Sequence, residues 1–337
     1  MARPSEEFLL AWSSLSSNAS TPGWQAISLP SAGPVKVQAG RRSQTNVEAI
    51  LLSFPTAKLP LIEKLPEGQG FLVERIDSTN TTGLRLALTR QAAGRAELFA
   101  AMACDVVGAI DDAAAAGSGE AQLLRAFIRR VVAWQHFMSR GTQPLGPEAE
   151  LGLAGELTFI ACLLQAGVSA ETILEGWVGP EDASKDFALG HGAIEIKATL
   201  STAGFPVKIG SLEQLDDATI SPLFLGALRF SLSSNGSTLP KIVLDIERQL
   251  AGIPAAVALA REKLLAAGYV ESHASTYLRT FELKEVRVYE ITEGFPRLTT
   301  GQVPYGVFRA TYEINLDHAK DYLSNLPAAL RDLGVLQ

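Results

Sequence analysis

This chain has little cysteine, little histidine and no surplus of positive charge. Its 337 residues include two cysteines, Cys104 and Cys162, in helix-like apolar stretches. There a thiol reads as a buried small hydrophobe, and the usage fits a reducing compartment. The four histidines, His136, His191, His273 and His318, are scattered, so no Cys/His set has zinc spacing. No Gly-Lys dipeptide occurs, which excludes a Walker A loop, and no Gly-x-Ser-x-Gly, which excludes a nucleophile elbow. Gly117-Ser118-Gly119 and Gly190-His191-Gly192 lack the third glycine of a dinucleotide fingerprint. No apolar run reaches the ~18 residues of a membrane span. The nearest, 251–260, contains Pro254. Met1–Glu7 carries no signal-peptide pattern, so a cytoplasmic location without membrane attachment is expected. A net charge of −7 argues against coating a polyanion by charge alone.

What is present is a core. Apolar residues make up 47% and charged residues 19%, a globular balance, and the length suggests two structural units. Residues 1–20 are Ser-rich and read as a loose entry segment. Residues 21–140 read as a β-rich piece followed by helices. The β-prone runs are 35–37, 47–54, 71–76 and 84–88, and the helices span 96–116 and 119–138. A turn-rich linker, 141–147, leads into a second unit, 145–337. A helix is expected over Pro147–Gln165, with proline in its first turn and Glu148 and Glu150 at the positive end of its dipole. Further on, 207–209 and 222–230 read as strands, 211–215 as a short helix, and 239–267 as one or two helices broken near Gly252–Pro254. Strands are expected again at 276–282, 285–290 and 307–316, then a final helix from Asp317. The fold class is therefore α/β or α+β.

The chemistry concentrates near the middle. Lys185-Asp186-Phe187-Ala188-Leu189 leads through a glycine turn, 190–192, into Ala193-Ile194-Glu195-Ile196-Lys197-Ala198-Thr199. Strand side chains alternate, so Glu195, Lys197 and Thr199 share one face and Ile194, Ile196 and Ala198 the other. A hairpin can set Asp186 beside Glu195. Two carboxylates and an ammonium then converge, a set suited to a hard divalent cation and to orienting water for attack on phosphorus. By itself an acid followed by Glu-x-Lys usually marks a solvated strand face. The preceding helix adds weight. Gly155 costs a helix interior about 1 kcal/mol against alanine. Close approach of a strand explains it, and that approach carries Glu156 towards the hairpin. Leu153, Leu157 and Leu164 form the buried stripe of the same helix.

Gly155-Glu156, Asp186 and Glu195-Ile196-Lys197, in that order, resemble the PD-(D/E)xK nuclease superfamily, with its restriction-endonuclease-like fold of a central mixed sheet flanked by helices. The closer resemblance is to a bacterial family grouped with that superfamily and found among restriction and phage-defence genes. It runs through 152–157, Trp177, 185–187, 194–197, 211–215, 268–269 and 295–298, and covers most of the chain from about residue 20. Lysine precedes Asp186 where the superfamily name has proline. The resemblance implies a magnesium-dependent endonuclease acting on DNA, with manganese as a substitute. Asp186, Glu195 and the Ile196 carbonyl would hold the metal, Lys197 would orient water or stabilise the phosphate, and Glu156 would hold a second metal or fix the first. Ser211 and Gln214 would contact the nucleic-acid backbone, or else serve turn hydrogen bonds. Other defence-system subunits or a second copy of the chain would be partners.

Two other classes remain open at this stage: a non-catalytic subunit that keeps the fold to grip nucleic acid or partner proteins, and a carboxylate-pair sugar hydrolase, which would leave Lys197 without a task. Elsewhere the blander readings are expected to hold. His191 reads as an exposed turn residue and Arg125, Arg129 and Arg130 as a solvated face. Trp134 and Phe137 are expected to pack against the nuclease-like core. Tyr269, Tyr277, Tyr289, Tyr305 and Tyr312 are expected to serve packing rather than base stacking.

Overall fold

The computed structural model describes residues 5–15, 23–60, 64–76 and 83–336. The chain forms two compact units, Met1–Gln143 and Pro144–Gln337. The first opens on helix α1 (Ser5–Ser14), where a loose segment was expected; positions 1–4 and 16–20 lie outside the described residues. Phe8, Ala11 and Trp12 make a short apolar stripe that is buried; Trp12 stacks on Phe99 at 5.5 Å and donates to the Ala49 carbonyl at 2.9 Å. Strands β1 (Trp24–Ser28), β2 (Lys36–Arg42), β3 (Glu48–Phe54), β4 (Glu67–Gly68), β5 (Phe71–Arg75) and β6 (Leu84–Arg90) form an antiparallel sheet ordered β1-β2-β3-β6-β5-β4. Helices α2 (Ala96–Ala115) and α3 (Glu120–Arg140) follow, and Phe54 meets Phe127 at 6.5 Å.

Two expectations change here. Arg130 is buried rather than solvated, bonded to Asp105 through Nε at 2.5 Å and Nη2 at 2.6 Å. Trp134 and Phe137 are buried within this unit, with Trp134 donating to Asp105 at 2.6 Å. Aromatic residues on a helix announce burial, but not which core receives them.

The second unit opens on α4 (Pro147–Gln165), with proline in its first turn and its end marked by Gly167 at φ 90°. After α5 (Ala170–Gly176), the hairpin β7 (Phe187–Leu189) and β8 (Gly192–Thr199) turns through Gly190 at φ 58°. A side chain at Gly190 would also strike the Leu333 carbonyl. Strand β9 (Pro206–Ile209) comes next, then the long β10 (Leu223–Thr238), α6 (Leu239–Leu250), α7 (Pro254–Ala266), β11 (Thr280–Glu290), β12 (Tyr312–Asn315), β13 (Leu323–Ser324) and α8 (Leu326–Asp332). The sheet order is β13-β11-β10-β8-β7, with β8 and β10 parallel and the other pairs antiparallel. This mixed α/β architecture is the expected fold class. No described helix is long and apolar enough to cross a membrane.

Each sheet face has its own core. Ile194, Ile196, Phe224 and Leu228 pack with Leu153 and Leu157 of α4. Ala193, Leu225 and Ala227 pack with Phe205, Val207, Ile209 and Ile314. Within the second layer, β9 pairs with β12 in a separate two-stranded sheet. Other boundaries differ as well. Residues 211–215 form turns rather than a helix, and 280–290 is one strand instead of two. The strand expected over 307–316 is confined to 312–315, and short 3-10 turns replace a helix at Asp317. Cys104 and Cys162 are half-buried rather than fully buried.

Candidate active site

The site is built where α4, the hairpin and the segment after α5 meet. An ideal Cβ on Gly155 would sit 2.9 Å from the Ala198 Cβ. The missing side chain lets α4 lie against β8, and Glu156, the next residue, reaches the start of the hairpin. Trp177 is fully buried and donates its indole N–H to Glu156 Oε2 at 2.6 Å. The amides of Val178 and Gly179 donate to the Asp186 carbonyl at 2.9 and 3.0 Å. The point where a Gly179 methyl would sit is 2.8 Å from Asp186 Oδ1 and 3.4 Å from Glu156 Oε2. Both carboxylates therefore crowd one glycine, and only glycine leaves room for them.

Asp186 stands between the other two acids. Its Oδ2 accepts the Ile196 amide at 2.7 Å, which pins it to β8. Glu195, on β8, is buried, and its Oε1 accepts Lys197 Nζ at 2.5 Å. Glu195 Oε2 is buried with no hydrogen-bond partner. Burial first, and repulsion from Asp186 second, push Glu195 up to about 8, with Lys197 and Lys185 pulling the other way. The same two causes push Glu156 up to about 8, against the Trp177 bond and Lys197. Asp186 is also raised by burial, against Lys197 and the Ile196 amide. Burial is the first cause for all three acids, and a cation placed among them would draw each back down.

The donor set can be tested against a divalent cation. An unpartnered buried carboxylate oxygen fits a metal ligand, since leaving such an oxygen bare costs free energy that a cation recovers. Among the described residues no trio of His, Cys, Asp or Glu side chains forms a ready-made cage. One or two carboxylates plus waters is the manner of magnesium rather than of zinc or calcium. Glu156, Asp186, Glu195 and Lys197 thus act on one another electrostatically, while Ile196 lies between the last two and supplies the amide that holds Asp186.

Ser211 and Gln214 lie apart from this cluster, in the turn after β9. Gln214 Oε1 accepts the Gly210 amide at 2.7 Å, and Ser211 bonds the Glu213 carboxyl. Both are engaged in the turn hydrogen bonds that were the alternative for them. His191 is exposed in the hairpin turn.

Three positions near the site had been given no role. Trp177 holds Glu156, and Gly179 admits the two carboxylates. Lys185 is buried, donates to the Glu213 carbonyl and is lowered by burial while Glu195 pulls it back up. Its sequence signal was adjacency to Asp186. Trp177 was marked only as one of the residues that carry the family resemblance, and Gly179 not at all, because their task depends on a contact made across the fold.

Against this geometry the family described as "Putative PD-(D/E)XK family member, (DUF4420)" matches residues 9–317. Curated proteins and solved structures gave no match.

Proposed function

The chain belongs to that PD-(D/E)XK family, and we propose that it is a magnesium-dependent endonuclease that hydrolyses phosphodiester bonds in DNA. The observation that carries the reading is the bare, buried Glu195 Oε2 in a group of three acids and one lysine. Asp186, Glu195 and the Ile196 carbonyl would hold the ion, and Glu156 would hold a second ion or fix the first. When bound, the ion neutralises the carboxylates and offsets charge on phosphate, and it lowers the pKa of a water. Manganese, with similar oxygen preference, is expected to substitute.

The chain's own residues do the rest. Asp186, pinned by the Ile196 amide, marks the position of the scissile phosphate. Lys197 lies beside it, where it orients the attacking water and opposes negative charge as it builds on phosphorus. Trp177 fixes the Glu156 carboxylate. Phe187 and Ile194, fully buried beneath the hairpin, exclude water from below.

DNA is the proposed partner. The acidic net charge favours target selection by other subunits of a defence assembly or by a second copy of the chain. A second reading is a non-catalytic subunit, favoured by the Lys197–Glu195 ion pair, which satisfies one carboxylate oxygen without a metal. Incubation with supercoiled plasmid and magnesium separates the two. Cleavage is expected, with loss in both Asp186→Ala and Lys197→Ala. No cleavage with either metal, or cleavage indifferent to both substitutions, overturns the proposal.

A further inference from the structure

Most large apolar side chains of the second unit are buried, but one turn breaks the pattern. In Pro304-Tyr305-Gly306-Val307-Phe308-Arg309, Tyr305 is 109% exposed and Phe308 86% exposed. Tyr305, expected to serve packing, instead projects from a turn closed by the Val307 amide on the Pro304 carbonyl at 3.0 Å, with Gly306 at φ 96°. Two large aromatic side chains left in water within one turn are costly and mark a surface awaiting a partner.

The turn is held at its base. Arg297 donates to the Leu215 carbonyl at 2.6 Å and to Asp217 at 2.9 Å. Thr300 bonds Asp216 at 3.0 Å, and Thr311 bonds the Gly210 carbonyl at 3.3 Å. All four partners belong to the 210–217 segment. Lys185, the neighbour of Asp186, donates to the Glu213 carbonyl in the same segment. The aromatic turn is thus tied by hydrogen bonds to the residue beside the central carboxylate. Electrostatics agree with that nearness. Glu213 is lowered first by Ser211, with Lys185 and Arg309 adding to it, and Tyr312 is raised by burial but opposed by Arg297 and Lys197.

The chemistry of the turn selects its occupant. From Thr299 to Tyr312 there is no acidic residue, although the chain as a whole has a net charge of −7. Arg309 is the one formal charge in that stretch, exposed beside Phe308. Bare rings with an adjacent guanidinium suit unstacked bases and their phosphates. They do not suit continuous duplex, whose base faces are covered by their neighbours.

We infer that Tyr305 and Phe308 form a stacking platform for unpaired nucleotides, with Arg309 on the phosphate, so that the strand presented to the acidic site is single-stranded or frayed DNA. This rests on the nuclease reading, and it names the substrate class within it.

The test is binding, so that it reads independently of cleavage. Full-length protein is titrated without divalent metal into three fluorescein-labelled DNAs: a single-stranded 20-mer, its blunt duplex, and that duplex with an unpaired tail. The single strand and the tailed duplex are expected to bind at least tenfold tighter than the blunt duplex. Tyr305→Ala with Phe308→Ala removes that preference, roughly tenfold per base stacked, and Phe308→Trp alone retains it with its fluorescence quenched by the single strand. Equal binding of tailed and blunt duplexes, or unchanged single-strand affinity in the double variant, overturns the inference and leaves the rings to a protein partner. Loss of plasmid cleavage in Asp186→Ala beside such indifference would keep the nuclease and discard the platform. Ring-dependent strand binding with no cleavage under any metal would do the reverse.

Discussion

Each unit of this protein holds an acid against a tryptophan indole, and the two sites differ in one respect. In the first, Asp105 accepts Arg130 twice and Trp134 once, all within 2.6 Å, so both carboxylate oxygens are filled. In the second, Trp177 fills one oxygen of Glu156, Ile196 one of Asp186 and Lys197 one of Glu195, while Glu195 Oε2 stays bare. The saturated cluster braces two helices. The unsaturated one keeps coordination capacity in reserve, at a cost to the folded state. Incomplete pairing within a group of acids separates this candidate active site from the Asp105 ion pair; a bare oxygen alone does not, since Glu150 Oε1 is also buried without a partner beside Arg279.

The sharpest way to break this comparison is to remove one acid from each. Asp186→Ala should lower magnesium-dependent cleavage by about a thousandfold or more, with the melting temperature nearly retained, because the repulsion that Asp186 exerts on Glu156 and Glu195 goes with it. Asp105→Ala should do the opposite. It strands Arg130, whose side chain is 10% exposed, and costs about 2–3 kcal/mol in urea unfolding. That lies at the low end for a buried pair because Asp105 remains 26% exposed. Cleavage per folded molecule should be unchanged.

Acid crowding itself is tested by Gly179→Ala. The added methyl would meet Asp186 Oδ1 at 2.8 Å and Glu156 Oε2 at 3.4 Å. Activity should fall by about ten- to a hundredfold, since displacing catalytic groups by an ångström costs that much. Normal activity would mean that the two carboxylates do not work as a unit.

Proton linkage gives the next measure. Glu195 and Glu156 are raised from 4.5 to about 8 in the folded chain. Between those values the folded protein binds more protons than the unfolded one, so stability is greatest below the unfolded value and falls as pH rises towards 8. The metal-free melting temperature should drop over that window, and Glu195→Gln should flatten the drop. Magnesium should stabilise more at pH 8 than at pH 6, because it competes with those protons.

The smallest effect compares two glycines of one helix. Gly152 has open space where a Cβ would be, whereas Gly155 faces Ala198. Gly152→Ala should stabilise by about 0.5–1 kcal/mol. Gly155→Ala should destabilise by about 1–3 kcal/mol despite the same gain in helix propensity, and it should lower cleavage by moving Glu156.

Much of this fold was legible in the sequence wherever local physics decides. Helix α4 has the bounds that Pro147 and its acidic first turn implied, and Ile194 and Ile196 of β8 pack together in one core as the alternation of that strand implied. The misreadings share a cause. Ser211–Leu215 has helix-compatible residues, yet it is drawn into turns by Lys185, Gln214 and the loop from Arg297. The strand expected over 307–316 shrinks to β12, because its partner β9 lies about a hundred residues earlier and only that pairing sets its length. Tyr305 was expected to pack and sits exposed in a turn.

Within the site, order along the chain and residue type pointed to Glu156, Asp186, Glu195 and Lys197, because alternation and helix spacing are short-range rules. Which oxygen is left bare, which indole fills its neighbour and which glycine makes room were decided only when α4, β8 and the Trp177–Gly179 segment came together. Hydrogen-bond saturation is a property of three-dimensional neighbours, and no local pattern of residues encodes it.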